Sequence, residues 1–571
     1  MIRSVRWLCC VVAILACVAV SDRTARAQAA GGAPEIRKSE WNGYERRDFT
    51  IDGRACLLVL PKQPAAGHPW IWRTEFFGHE PQADIALLGK GFHVAYMDVQ
   101  NMYGAPVALD HMDKYYDYLV QTRELSAKTV LEGFSRGGLF ALNWAARHPD
   151  RVACIYNDAP VCDFKSWPAG FGKAKGSPDD WKRCLAAYQL TEAQAREYKL
   201  NPVDHLAGLA KAKVPLLHVC GDADEVVPFE ENTQLLAKRY RELGGPITVI
   251  AKAGVGHHPH SLQNPLPIVA FVLEHTGGSL TPAELLNGSR RIVFLGDSIT
   301  AAGGYVAGFD AWLTLQQTAV PRRVICAGLP SETVSGLSED GHAGGQFPRP
   351  DLAERLDRIL DLTKPDLVIA CYGINCGIYE PFDAGRLAKY QAGLENLKRA
   401  VEQRAARLVL VTPPFYDDLR APKKFSYNAV LDRYSEWLVG QQKQGWHVVD
   451  LHSAMTQAVQ RRRASDPQFT FQPDGVHPND AGQWYVAAQL IRWFGDDVAG
   501  ASTPADMLTA SGVPASVWPL IQQRVNVLRD SYVGTAGHKR PGVAKGVPVA
   551  EAEKQAAELT EKIQQLITPA K

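Results

Sequence analysis

The chain has almost no net charge: its 571 residues carry 62 Lys and Arg against 61 Asp and Glu, a formal +1. Without a basic field, nothing electrostatic holds the molecule to nucleic acid or to an anionic membrane, and neither partner is expected. Cysteine is scarce as well. Of 11 cysteines, Cys9, Cys10 and Cys17 fall in the first 27 residues, and the remaining eight form no Cys-x-x-Cys pair. A structural zinc ribbon and a disulfide-stapled scaffold are thereby excluded. If one disulfide forms locally, Cys162 with Cys184 is the expected pair. No short-period repeat occurs, which removes solenoid folds. The apolar run Trp7 to Val20 is shorter than the roughly 20 residues a spanning helix needs. Preceded by Arg3 and Arg6 and followed by Ala25-Arg26-Ala27, it reads as a cleavable export signal over residues 1–27. That reading places the mature protein in a secreted or periplasmic setting, with a formal charge of −2 once four arginines and one aspartate leave.

What is present is ordinary globular material: 46% hydrophobic and 22% charged residues, enough to bury full cores over two large domains or three small ones. Tyr44 to Ile51 and Ala55 to Leu60 read as a hairpin turning at Asp52-Gly53. Strand-like runs follow at Pro69 to Phe77, His93 to Asp98, Thr129 to Gly133, Val152 to Asn157, Pro215 to Gly221 and Thr248 to Ala251. Helical stretches such as Leu109 to Arg123 and Leu139 to Arg147 separate most of them. Alternation of this kind specifies an α/β class with a largely parallel sheet. Ala159 to Lys213 is punctuated by Pro and Gly, carries an amphipathic helix around Thr191 to Lys199, and is expected to cap a site. Thr276 to Ser289 is the expected boundary. A second α/β series follows, with strands at Arg291 to Leu295, Arg323 to Ala327, Leu367 to Tyr372, Arg407 to Val411 and His447 to Asp450, and a closing helix over Asp480 to Phe494. The last 70 residues or so read as helices for packing or assembly. The expected division is 34–277, a linker over 278–289, 290–500 and a helical extension over 501–571.

Gly133-Phe134-Ser135-Arg136-Gly137 places G-x-S-x-G between a strand and a helix, the setting in which a strained turn lifts a serine hydroxyl clear of a sheet. Gly221-Asp222-Ala223-Asp224-Glu225-Val226-Val227-Pro228 and Gly254-Val255-Gly256-His257-His258-Pro259-His260 follow in chain order. These residues resemble the α/β-hydrolase superfamily over Pro34 to Gly277. The resemblance implies Ser135 as nucleophile, His257 as base and Asp224 as its partner, with Asp222 the weaker alternative. It also implies the Arg136 amide as one oxyanion donor and the Glu75 or Phe76 backbone as the other. The competing reading of His257, His258 and His260 is a metal or surface patch. The Arg136 side chain, beside the nucleophile, is expected to be solvated, with contact to an acidic or polar substrate the alternative. Trp70, Trp72, Tyr103, Tyr115, Tyr116 and Trp167 are aromatic candidates for the border of this site.

Phe294-Leu295-Gly296-Asp297-Ser298-Ile299-Thr300 follows the first strand of the second series, and Asp474-Gly475-Val476-His477 precedes its last helix. With Cys326-Ala327-Gly328 and Gly373-Ile374-Asn375-Cys376 between them, these four blocks resemble the SGNH (GDSL-type) hydrolases over Arg290 to Gly495. The resemblance implies a flavodoxin-like domain with Ser298 as nucleophile, His477 as base and Asp474 as its partner. Gly328 and Asn375 would join the Ser298 amide as the oxyanion hole. Two positions depart from the family pattern, Cys326 standing for Asn and Cys376 for Asp.

Both constellations perform acyl transfer through a serine ester and call for neither metal nor organic cofactor. Two unlike hydrolase domains on one exported chain resemble bacterial dual carbohydrate esterases. That likeness implies ester hydrolysis, acetyl and feruloyl or other acyl groups included, on acylated polysaccharides. The alternatives are a lipase or thioesterase, or one enzyme joined to a non-catalytic carbohydrate-binding module.

Overall fold

The computed structural model describes residues 34–316 and 322–567; the expected signal over 1–27 lies outside the described residues. A nine-stranded sheet comes first. Its strands are β1 (Arg37–Trp41), β2 (Tyr44–Ile51), β3 (Arg54–Val59), β4 (Trp70–Arg73), β5 (His93–Met97), β6 (Thr129–Phe134), β7 (Val152–Asp158), β8 (Leu216–Gly221) and β9 (Ile247–Lys252). They lie in the order β1-β2-β3-β5-β4-β6-β7-β8-β9. β1, β2, β3 and β5 pair antiparallel in succession, and the remaining pairings, from β5–β4 to β8–β9, are parallel. The β2–β3 hairpin turns at Asp52 and Gly53, both at positive φ, as a two-residue turn between twisted strands requires. β1, with the sequence RKSEW, is almost wholly exposed. It has no apolar alternation to announce it and is held by the register of β2. β6 and β8 are buried along their whole length, as strands of a doubly covered parallel sheet must be.

Between β7 and β8 the chain forms a cap of two helices, Pro178–Tyr188 and Glu192–Arg196. A small apolar cluster of its own, including Phe164, Cys184 and Ala195, joins it to Tyr103 and Leu139 of the domain beneath. The helix expected around Thr191 is short, opened by a Thr191–Gln194 capping box. The longer helix was not expected, although Pro178 at its first turn and the acidic pair Asp179 and Asp180 are the signals that could have found it. Cys162 and Cys184 are not joined, contrary to expectation. All eight described cysteines are free and buried, and these two sit in separate apolar clusters, Cys162 in the core of the first domain and Cys184 in the cap.

The boundary segment contains a further helix, Pro282–Asn287, capped by Thr281 and Glu284. Its buried Leu285 and Leu286 belong to an apolar core that continues from the helix Leu266–Glu274 into the second sheet. Lys90 reaches Glu284 at 2.5 Å across this junction. The second sheet has β10 (Arg291–Gly296), β11 (Arg323–Cys326), β12 (Leu367–Cys371), β13 (Arg407–Val411) and β14 (His447–Val449). All are parallel, in the order β11-β10-β12-β13-β14. This is the doubly wound, flavodoxin-like order, in which ligands bind beyond the carboxyl ends of the strands where the order reverses. The fold is therefore α/β throughout, with helices Pro504–Ala510, Val517–Ala536 and Val549–Ile567 closing the chain. The middle one packs on the second domain through a buried Arg524–Asp310 ion pair at 2.8 Å.

Candidate active sites

At the carboxyl end of β6 the chain reverses into the helix Gly137–Arg147, and Ser135 sits on the turn with φ of +49°. For a residue bearing a Cβ this conformation costs about 1–2 kcal/mol, so the surroundings must enforce it. They do so through close backbone approach. A Cβ on Gly133 would meet Asn157 Oδ1 at 2.5 Å, and one on Gly138 would meet Pro160 Cβ at 2.5 Å. His257 Nε2 lies 3.0 Å from Ser135 Oγ, and His257 Nδ1 lies 2.7 Å from Asp224 Oδ2. The other Asp224 oxygen accepts the amides of Val226 and Val227, each at 2.8 Å. The side chains of His257 and Asp224 are only 8% and 1% exposed. Asp222 instead accepts the Gly254 amide at 2.6 Å and braces the histidine loop.

The loop after β4 runs beside the elbow, where Thr74 Oγ1 donates to the Gly137 carbonyl at 2.9 Å. Among the described residues, the amides of Arg136, Glu75 and Phe76 donate to no protein acceptor, which leaves them free for an oxyanion. The Arg136 side chain corrects its expected solvation. It is 12% exposed and lies 3.4 Å from Glu75 and 3.5 Å from Asp180 of the cap, over the rings of Phe76 and Tyr103. Burial pushes the Glu75 carboxyl up to about 7 although Arg136 opposes the rise. Tyr103 is buried with its hydroxyl on Asp180 at 2.6 Å. A charged, aromatic frame therefore stands between nucleophile and cap, and sequence reading missed it because Asp180 is 44 residues away from Arg136 along the chain. Trp70, Trp72, Tyr115 and Tyr116 do not border the site; they are buried in the core, where Trp72 and Tyr116 meet Trp144 while Trp70 packs on Tyr116 and Tyr115 on Trp72. Trp167 is half-buried, 6.5 Å from the Tyr103 ring.

The second constellation assembles where the order of the second sheet reverses. Ser298 opens a short helix after β10, with Asp297 accepting the Ile299 amide at 3.0 Å. Ser298 Oγ lies 2.9 Å from His477 Nε2, and His477 Nδ1 lies 2.6 Å from Asp474 Oδ2. Asp474 Oδ1 also accepts the amides of Val476 and His477. Burial works to raise the Asp474 carboxyl, but these hydrogen bonds from His477 and Val476 outweigh it and hold the carboxyl below its usual range. Here the imidazole and carboxylate are 51% and 56% exposed. Gly328 follows β11 so closely against the helix of Ser298 that a Cβ would meet the Ala301 nitrogen at 2.5 Å. Asn375 follows β12, buried, with Tyr379 donating to its Oδ1 at 3.0 Å, which fixes the orientation of the side-chain amide and with it the direction of Nδ2.

The loops of Gly328 and Asn375 are anchored by groups no motif announces. Arg355 pairs with Glu332 through two hydrogen bonds of 2.6 and 2.7 Å and donates to the Ala327 carbonyl at 2.9 Å. Tyr372 also donates to Glu332 at 2.6 Å, and Asn375 donates to the Glu332 carbonyl at 3.3 Å. Arg355 and Glu332 are fully buried. Cys326 donates to the Thr300 carbonyl at 3.1 Å, so the thiol ties β11 to the helix of Ser298. Each constellation has the parts of acyl transfer: a hydroxyl, an imidazole to take its proton, a carboxylate to orient the imidazole, and amides free to meet an oxyanion.

Residues 294–485 match the GDSL-like lipase/acylhydrolase family model, and residues 89–278 match that of the prolyl oligopeptidase family. The chain is thus a two-domain serine hydrolase, with an α/β-hydrolase domain followed by a GDSL-like domain. No curated protein matches the chain. Among solved structures, puromycin hydrolase is 18% identical over 43% of this chain and 40% of its own, with a TM-score of 0.33. A gut microbial diltiazem-metabolizing enzyme is 22% identical over 36% of this chain and 47% of its own, at 0.29. The Pyrococcus horikoshii acylaminoacyl peptidase is 13% identical over 39% and 37%, at 0.30. The chain spans less than half the length of each of these structures.

Proposed function

We propose that the protein is an exported bifunctional esterase whose two centres act independently on acyl esters of polysaccharides. The observation that carries this reading is the presence of two complete Ser–His–Asp chains, each closed by hydrogen bonds of 3.0 Å or less. In each, the imidazole takes the serine proton as the hydroxyl attacks the ester carbonyl, and then returns it to the departing alcohol. The oxyanion is met by the Arg136 amide with that of Glu75 or Phe76 in the first site. In the second it is met by the amides of Ser298 and Gly328 with the Asn375 side chain. Water then releases the acyl group by the reverse of these proton transfers.

Exposure supports a division of labour. The half-exposed imidazole and carboxylate of the second site suit short acyl groups, acetyl above all, on a long polymer passing over the surface. The buried first site under its cap suits an acyl group that is threaded in, a feruloyl or other bulky ester. Amide cleavage at the first site is a second reading, favoured by the match of residues 89–278 to the prolyl oligopeptidase family. Assays of Ser135→Ala and Ser298→Ala on acetylated and feruloylated polysaccharides, aryl acetates and peptide amides separate these readings. Loss of acetyl release only in Ser298→Ala, and of bulky-ester release only in Ser135→Ala, is expected. Identical profiles would overturn the division, and peptide cleavage confined to Ser298→Ala would assign the first site to amides.

A further inference from the structure

His79, His258 and His260 lie beside the first triad and take no part in it. His79 is on the loop after β4, the same loop that carries Glu75 and Phe76. Its carbonyl accepts from the buried guanidinium of Arg73, itself held by Asp84 and Glu132. The loop is thus fixed through its backbone while the imidazole is exposed. His260 is buried, with Nδ1 2.7 Å from Asp158 Oδ1. The other Asp158 oxygen accepts the Ser261 amide at 2.8 Å and the Tyr156 hydroxyl at 3.0 Å. A carboxylate so placed makes Nδ1 the N–H of the ring and leaves the lone pair on Nε2. The His258 ring is exposed and edge-on to both others, its centroid 4.8 Å from that of His260 and 6.1 Å from that of His79.

One ligating atom from each of the three residues lies within 4.8 Å of the others. Tetrahedral coordination at Zn–N distances of about 2.0–2.1 Å needs nitrogens about 3.3 Å apart, a closure that the two exposed rings can make by side-chain rotation. The carboxylate behind His260 is the partner that orients a ligating imidazole and raises its basicity. Three imidazoles without a carboxylate in the ligand set select a transition ion over Ca²⁺ or Mg²⁺. His257 is not available as a fourth ligand, since its two nitrogens face Ser135 and Asp224.

We propose that His79, His258 and His260 form a binding site for a divalent transition ion, Zn²⁺ foremost, with Asp158 orienting His260 and a fourth position left to water. The ion would take no part in acyl transfer. It would clamp the loop bearing the base to the loop bearing the oxyanion donors.

The test is equilibrium dialysis and Co²⁺ absorption on the full chain after treatment with a chelator, with Zn²⁺ as competitor and thermal melting as a second readout. One ion per chain, a tetrahedral Co²⁺ spectrum abolished by Zn²⁺ and a raised melting temperature are expected. His79→Gln and His258→Gln should each weaken binding at least ~10-fold, and Asp158→Asn about 10–100-fold. His257→Gln should leave affinity unchanged. Circular dichroism of the two exposed-ring variants checks that they fold. Absence of binding, binding that survives both His79→Gln and His258→Gln, or binding lost in His257→Gln would each overturn the proposal.

Discussion

Asp297 shows how far one side chain can set the behaviour of a site. Fully enclosed beside Ser298, its carboxyl is pushed up to about 7 by burial, against the opposing pull of the Ile299 amide. A carboxyl that binds its proton more tightly when folded makes the native state lose stability as pH rises from about 4 to about 7, and the loss is complete above that window. The gap from the ordinary 3.8 corresponds to at most about 4 kcal/mol. Asp297→Asn keeps a capping oxygen and removes the titration. Urea melts across this range should show the variant gaining on the parent as pH rises, whereas parallel curves would contradict the assignment. Asn375 is the other residue whose role can be priced in rate. Removing one oxyanion donor typically costs 10²- to 10³-fold in kcat, and Asn375→Ala should do so for substrates of the Ser298 site while activity through Ser135 is unchanged. A loss below about tenfold in single-turnover assays would take Asn375 out of the oxyanion hole. The blocks around Ser135, Asp224, His257, Ser298, Asp474 and His477 were legible because each is a short motif whose residues face one another across a strand end. The backbones of Arg136 and Glu75 were already expected at the oxyanion hole, but the side-chain cluster of Arg136, Glu75 and Asp180 was not legible. Their meeting depends on the angle at which the cap descends, and the chain encodes that angle through packing.

At the scale of elements, regular strands declared themselves and irregular ones did not. β6, β8 and β10 are buried runs bounded by turns, and the sequence pattern found each within a residue or two. β1 escaped because an edge strand of charged residues has no apolar period. The helix Pro282–Asn287 escaped because six residues with two buried leucines resemble a loop until the capping box is noticed. The elbow between β6 and its helix makes a sharper claim. Gly138 approaches Pro160 and the Val161 carbonyl so closely that an added methyl must displace backbone. Overpacking of this kind costs about 1–3 kcal/mol. Gly138→Ala should lower the denaturation midpoint accordingly and weaken turnover through Ser135; a variant as stable as its parent would mean that the elbow has slack.

The whole molecule is two doubly wound sheets joined by one apolar core, each with its serine at a carboxyl edge. No described helix is long and apolar enough to cross a membrane. The Arg355–Glu332–Tyr372 cluster braces the second site and the Asp224 and Asp222 turns brace the first, and among the described residues no hydrogen bond links one catalytic chain to the other. The two centres should therefore react as separate units. Labelling with a serine-reactive fluorophosphonate, followed by intact mass and peptide mapping, tests this directly. Two labels per chain, on Ser135 and Ser298, are predicted, with one label remaining in each of Ser135→Ala and Ser298→Ala. A single label on the parent chain, or loss of both on replacing one serine, would contradict the account of two independent hydrolases.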